Sequence, residues 1–147
     1  MDLGLLGASL VLGMAALGSG MGVGVCAQSA IGAWKKCYLT NKAAPMTLLV
    51  FLGFPLTNIF YAYIMMGTIK DAAIARPEYG LFYLGCSLAS GIAIAITAVI
   101  QGKAAACACD AVAETGKGFA QFVTVIGIIE PVALFAMVLT MTIVNSL

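Results

Sequence analysis

The sequence predicts an all-α membrane protein with four transmembrane helices arranged as two tandem helical hairpins. Hydrophobic residues make up 63% of the 147 residues and charged residues only 9%, whereas a soluble domain carries about 25% charged residues. The mean hydropathy is +1.09. The apolar runs are long enough to span, because a helix needs about 20 apolar residues to cross a bilayer.

The four predicted helices are separated by three short polar connections, WKKCYLTNKAA, IKDAAIARPE and AETGKG. The helices are expected to run roughly from Leu3 to Ala33, Pro45 to Thr68, Tyr79 to Val112 and Phe119 to Asn145. No basic segment precedes the first helix, which is also too long for a signal peptide. We therefore expect the mature protein to keep it.

The basic residues of the connections predict the orientation. The first connection carries three lysines and no acidic residue, whereas the middle one has two basic and two acidic residues. Basic residues are enriched in cytoplasmic loops. The first and third connections are therefore expected to be cytoplasmic, with both termini on the opposite side of the membrane.

An internal duplication underlies the two hairpins. LGASLVLGM in the first helix resembles LGCSLASGI in the third, and FLGFPL in the second aligns with IGIIEPV in the fourth. The second match pairs Pro55 with Pro131, 76 residues later. We predict a first hairpin in residues 1–76 without a membrane carboxylate, and a second in residues 77–147 that carries one.

The first helix contains the segment GSGMGVG, with glycines at Gly18, Gly20, Gly22 and Gly24. Glycines in a spanning helix usually mark the close approach of another backbone. A whole helix this narrow suits an inner ring of helices packed side by side, so we expect the chain to assemble into a ring. Ordinary helix dimerisation is the alternative.

Glu130 lies in the middle of the fourth apolar run, GIIEPVALFAMVLTMTIV, and aligns with Phe54 of the first hairpin. A charge at the centre of a spanning helix costs about 3 kcal/mol on insertion scales. Such a residue is tolerated when it faces the interior of an assembly or binds an ion. We therefore expect Glu130 to carry the function.

Other polar residues share the depth of Glu130. Counted from the predicted cytoplasmic helix ends, Thr57, Gln101 and Glu130 all lie about 17 Å deep, near the bilayer midplane. Asn58 follows Thr57 directly, and Tyr61 is one turn further on the same helix face. Thr57 alone would most simply bond to its own helix, but polar groups from three helices at one depth predict a shared site.

Pro55 removes a backbone N–H near this depth and weakens the helix there. This could turn a nearby carbonyl, such as that of Phe54, towards a cation. Carboxylate, amide, hydroxyl and carbonyl oxygens are suitable ligands for a hard ion such as Na⁺. A site that only carries protons needs little more than the carboxyl group, so the ligand set favours Na⁺ over H⁺.

Composition argues against other functions. The chain has no histidine, and none of its five cysteines belongs to a CxxC pair, so we interpret the cysteines as packing residues. No nucleophile–base pair can be assembled, and we expect neither an enzyme active site nor a cofactor other than the transported ion. The net charge of +1 does not predict a nucleic-acid partner.

With its glycine-rich first helix, the Glu130-Pro131 pair, FPLTNIFY in helix 2 and IQGKAAA in helix 3, the chain resembles the proteolipid subunits of V-type (V/A-type) ATPase rotors in their duplicated four-helix form. The resemblance implies a lipid-embedded homo-oligomeric ring in a prokaryotic cell membrane. It also implies a static membrane subunit with a cationic residue, central-stalk subunits at the cytoplasmic loops, and ATP hydrolysis outside this chain.

The same resemblance implies an ion site. Sodium would be bound by the side chains of Glu130, Gln101, Thr57 and Asn58 and the carbonyl of Phe54, with Tyr61 closing the site on Glu130. Asn58 departs from the pattern, because sodium-translocating relatives have the longer glutamine there. Three alternatives stay open, namely an H⁺-coupled rotor, a small H⁺/drug antiporter and a purely structural membrane protein.

Overall fold

The computed structural model describes residues 2–147, which form five α-helices and one 3₁₀ turn, with no strand in that range. The helices are α1 (Leu3–Leu39), α2 (Leu48–Ala75), α3 (Gly80–Thr115), α4 (Phe119–Ile129) and α5 (Pro131–Asn145), with the 3₁₀ turn at Pro77–Tyr79. By length and composition they provide four membrane spans, the last consisting of α4 and α5. The predicted all-α class and the four spans are confirmed.

The first three spans end later than predicted. The first helix continues to Leu39 rather than Ala33, and the second to Ala75 rather than Thr68. The length of an apolar run predicts only the minimum length of the helix. The helix itself continues into polar sequence until it reaches a residue that ends it. The second helix stops two residues before Pro77, which disfavours helix in the residue that precedes it. Gly116 ends α3 in the left-handed conformation, at φ 66°, that commonly closes a helix.

The fourth span covers the predicted range Phe119–Asn145, but its hydrogen-bond ladder is interrupted once, at Glu130. Pro131 has no N–H and cannot donate to the carbonyl of Gly127. The N–H of Glu130 donates to that carbonyl instead, at 3.3 Å, and the regular ladder is interrupted there. The candidate carboxylate therefore lies at the junction of two helices.

Close backbone contact joins α1 to α3, the most extensive helix pair of the chain. Gly18 lies against Ala95, and Gly22 lies against Ala98 and Gly102. A Cβ atom on either α1 glycine would collide with the α3 backbone, so glycine is required at both positions.

The other glycines of the first-helix segment have no such role within one chain. A Cβ atom added to Gly20, Gly24 or the earlier Gly13 would meet nothing within 4 Å. Their side of α1 is narrow and uncovered in the single chain. The dense glycine run therefore has two faces, of which only one is used inside the chain.

The remaining helices pack around this pair, α2 against both α1 and α3, and α5 against α2 and α3. Large apolar side chains cover much of the outer surface; Leu17 and Ile128, for example, are each 70% exposed. At the loop end, Lys36 of α1 forms an ion pair with Glu114 of α3. The first and third connections therefore lie at the same end of the bundle.

The five cysteines are all free thiols. Cys26 of α1 and Cys109 of α3 are buried against each other, with 3.7 Å between their sulfur atoms. Cys107 is exposed, so the packing interpretation does not apply to every cysteine within a single chain.

Candidate ion site

Glu130 is partly buried at the α4/α5 junction and is held by a neighbouring span. The phenol Oη–H of Tyr61, on α2, donates to Glu130 Oε1 at 2.5 Å. Hydrogen bonds to ionised groups are shorter and stronger than those between neutral groups. The structure thus brings Tyr61 and Glu130 into the contact that the resemblance implied. This contact links the two hairpins.

A second pair joins α2 to α3. The amide Nδ2 of Asn58 donates to Gln101 Oε1 at 2.7 Å, and both residues are fully buried. A longer contact of 3.5 Å joins the same nitrogen to the carbonyl of Pro55. Two buried amides fix each other in this way, although Asn58 Oδ1 and Gln101 Nε2 make no hydrogen bond within residues 2–147.

Thr57 and Phe54 form a third contact, this one inside α2. The Thr57 hydroxyl donates to the Phe54 carbonyl at 2.7 Å, which is the local bond that a lone threonine in a helix is expected to make. Helix α2 also runs through Pro55 without a break. The Phe54 carbonyl therefore already accepts a hydrogen bond from Thr57. This hydrogen bond would have to break before either oxygen could bind an ion.

All six predicted residues are thereby assigned to three contacts, each involving α2. The spacing of Phe54, Thr57, Asn58 and Tyr61 over two turns explains this, because residues three and four apart share a helix face. Within the described chain no hydrogen bond joins one contact to another. The site therefore combines one carboxylate on the fourth span with neutral oxygen-bearing groups from the second and third spans.

Its charge limits what it can bind. Residues 2–147 contain no group of three or more His, Cys, Asp or Glu side chains able to hold a metal ion. A single carboxylate is neutralised by one monovalent cation or by one proton. Either would leave an uncharged site, which is the state that crosses an apolar environment at least cost.

Sequence reasoning missed Ser19. Its side chain on α1 is only 2% exposed, and its hydroxyl makes no hydrogen bond in the described part of the chain. The only signal in the sequence is its position between Gly18 and Gly20, in a segment that we interpreted through its glycines alone.

These observations define a class, a four-span membrane protein with one carboxylate inside its helix bundle. Residues 84–143 match the model of the family described as the C subunit of ATP synthase, and this stretch contains Glu130. The chain is also 34% identical over 117 residues to the A-type ATP synthase subunit K of Methanocaldococcus jannaschii. That alignment covers 80% of this chain and 50% of the relative, so the chain spans about half the relative's length.

The chain is therefore similar to the ATP synthase C-subunit family over residues 84–143 and to an A-type ATP synthase subunit K over 117 residues. The resemblance inferred from its motifs is confirmed. Members of this family form rings.

Proposed function

We propose that this chain is an ion-translocating rotor subunit, in which Glu130 carries one Na⁺ across the membrane while other subunits hydrolyse ATP. Several copies form a closed ring, and each copy contributes one site. The family supports the rotor role, and the three contacts around Glu130 support the position of the site. The assignment of Na⁺ is the more specific part of the proposal.

The observation that carries the proposal is the bond between Glu130 and Tyr61 in the middle of an apolar span. A carboxylate there is costly unless it is paired or neutralised. Tyr61 orients the carboxylate but does not remove its charge. A bound monovalent cation or proton does, and the loaded site then passes through lipid as the ring turns.

The amide pair favours Na⁺ over H⁺. A proton carrier needs only the carboxyl group and one partner, which Tyr61 already provides. The fully buried Asn58–Gln101 pair has no evident purpose in such a site. Amide oxygens are good ligands for a hard cation, and Gln101 Oε1 would turn from Asn58 to the ion when the site is loaded.

Rotation requires partners outside this chain. A static membrane subunit with a cationic side chain displaces the ion from Glu130 at the exit path, and the empty site reloads at the entry path. Each ion moved against 100 mV requires about 2.3 kcal/mol. The end that carries the Lys36–Glu114 ion pair faces the cytoplasm of a prokaryotic cell and contacts the central stalk.

Carbodiimide labelling of the intact complex tests the ion assignment. A protonated carboxyl group that is reachable from lipid adds through its oxygen to the central carbon of a hydrophobic carbodiimide and gives its proton to a carbodiimide nitrogen, so the reagent should modify Glu130. Bound Na⁺ keeps the carboxylate ionised, and millimolar Na⁺ should therefore slow labelling, more strongly as the pH rises. K⁺ at the same ionic strength is the control. Labelling that responds to pH but not to Na⁺ would replace Na⁺ by H⁺ in the proposal.

A further inference from the structure

Three side-chain atoms are buried without a hydrogen-bond partner in the described chain, and their residues are almost fully enclosed. They are Ser19 Oγ, Asn58 Oδ1 and Gln101 Nε2, in residues that are 2%, 0% and 0% exposed. Buried polar groups in native proteins nearly always have a partner. Two of these atoms belong to the amide pair of the candidate ion site, and the third lies on α1.

Ser19 differs from every other serine of the chain. The hydroxyl groups of the others all donate to backbone carbonyls, in Ser9, Ser29, Ser87, Ser90 and Ser146. A helical serine commonly bonds to the carbonyl one turn earlier. Because Ser19 does not, its hydroxyl remains available to a group outside its own helix.

The helix register places Ser19 and Asn58 at one depth. Gly22 of α1 lies against Pro55 of α2, since a Cβ on the glycine would come within 2.9 Å of the proline Cβ. The two helices run in opposite directions. Ser19 precedes Gly22 by three residues and Asn58 follows Pro55 by three, so both lie about 4.5 Å from this contact on the same side.

We propose that Ser19, Asn58 and Gln101 together bind one water molecule that forms the inner wall of the ion site. The water accepts a hydrogen bond from Gln101 Nε2 and donates to Asn58 Oδ1 and Ser19 Oγ. A buried water typically makes about three hydrogen bonds to otherwise unsatisfied groups. The three unpaired atoms are an amide donor, an amide acceptor and a hydroxyl that can accept, and together they satisfy a single water.

This water gives Ser19 a positioning role in ion binding. It holds the amide of Gln101 in the rotamer that keeps Oε1 towards the site. The inference rests on the proposed function to the extent that Gln101 is taken as an ion ligand. It extends the site to α1, so that all four spans contribute.

Ser19→Ala tests the proposal, with Ser90→Ala as the matched control. Ser90 is similarly buried, at 4% exposure, but its hydroxyl bonds to the carbonyl of Cys86 at 2.6 Å. In the intact complex, Ser19→Ala should raise the Na⁺ concentration that half-protects Glu130 from carbodiimide about fivefold, as expected for a lost water-mediated contact. Ser90→Ala should change it by less than about twofold. Equal effects of the two variants would overturn the proposal.

A high-resolution structure of the unmodified ring provides a readout that does not depend on the transported ion. We expect an ordered water within about 3.2 Å of Ser19 Oγ and Asn58 Oδ1. A Ser19 hydroxyl bonded to its own helix, with no water beside Asn58, would refute the inference. If wild-type labelling ignores Na⁺, the sodium assignment fails by itself. The water is then tested by the pH midpoint of labelling, which Ser19→Ala should shift and Ser90→Ala should not.

Discussion

The two hairpins carry the same proline but use it differently. In the first, Phe54 precedes Pro55 and α2 passes through the proline unbroken. In the second, Glu130 precedes Pro131 and the span divides into α4 and α5. The helix that carries the carboxylate is therefore the one whose hydrogen-bond ladder is interrupted at this depth, although the backbone of Glu130 keeps the α conformation, with φ −59° and ψ −39°.

Under the predicted duplication, the two hairpins differ at several corresponding positions and not only at Phe54 and Glu130. The two prolines are 76 residues apart. At this offset, the α2 residues Thr57, Asn58 and Tyr61 align with Ala133, Leu134 and Met137. All three counterparts are apolar. Most of the neutral polar groups lie in the first hairpin and the charge lies in the second, so the proposed site needs both hairpins.

The largest expected effect comes from removing the charge. Glu130→Gln should abolish carbodiimide labelling and lower ion-coupled ATPase activity by at least about a hundredfold, because the amide carries neither Na⁺ nor a transferable proton. The amide keeps the volume of the side chain, and the variant should still assemble. The measurements are mass spectrometry of the labelled protein and Na⁺-dependent ATPase activity of the complex.

Adding Phe54→Glu to this variant asks whether the hairpins are interchangeable. We expect no recovery of transport, since Phe54 packs against the apolar cluster that includes Phe51 and Ile126, where a carboxylate would meet the full cost of about 3 kcal/mol. Recovery of activity would show that the carboxylate alone makes the site, and that its neutral neighbours are dispensable.

The next largest effect should come from the helix pair that joins the hairpins. Gly22→Leu places a side chain into the carbonyl of Ala98, and overpacking of this kind costs about 1–3 kcal/mol or more. We expect loss of folded protein and of rings. Gly20→Leu meets nothing within the chain, so this variant should fold and only the contact between copies should suffer. Circular dichroism of the purified proteins in detergent measures folding, which only Gly22→Leu should reduce. Native gels measure ring size, which both variants should change.

Much of this arrangement could be predicted from residue chemistry and spacing. Apolar length predicted the four spans. Counting from the helix ends placed Thr57, Gln101 and Glu130 at one depth, with Tyr61 one turn further along the helix that carries Thr57. The interruption at Glu130 was missed, because a proline in a helix bends, breaks or is accommodated according to its neighbours, as Pro55 shows. Ser19 was missed because its burial in the helix bundle is a tertiary property that no local pattern reports.

Two ligands of the proposed ion site can be ranked by their present bonds. Gln101→Ala leaves a buried amide of Asn58 unpaired, whereas Thr57→Ala removes a bond inside α2. We expect Gln101→Ala to weaken Na⁺ binding about tenfold, or about 1.4 kcal/mol, and Thr57→Ala to weaken it less. Half-protection of Glu130 from carbodiimide by Na⁺ measures both. Wild-type affinity in both variants would mean that the ion binds elsewhere.

The smallest effect is expected where the chain departs from the sodium pattern. Asn58→Gln adds one methylene, which lets the amide oxygen reach the ion directly while displacing the water that Ser19 helps to hold. Gain and loss should nearly cancel, leaving Na⁺ affinity within about threefold of wild type. The variant should also become insensitive to Ser19→Ala, because the double-mutant cycle removes a shared partner. A large loss of affinity in Asn58→Gln alone would mean that Asn58 contacts something other than the ion or its water.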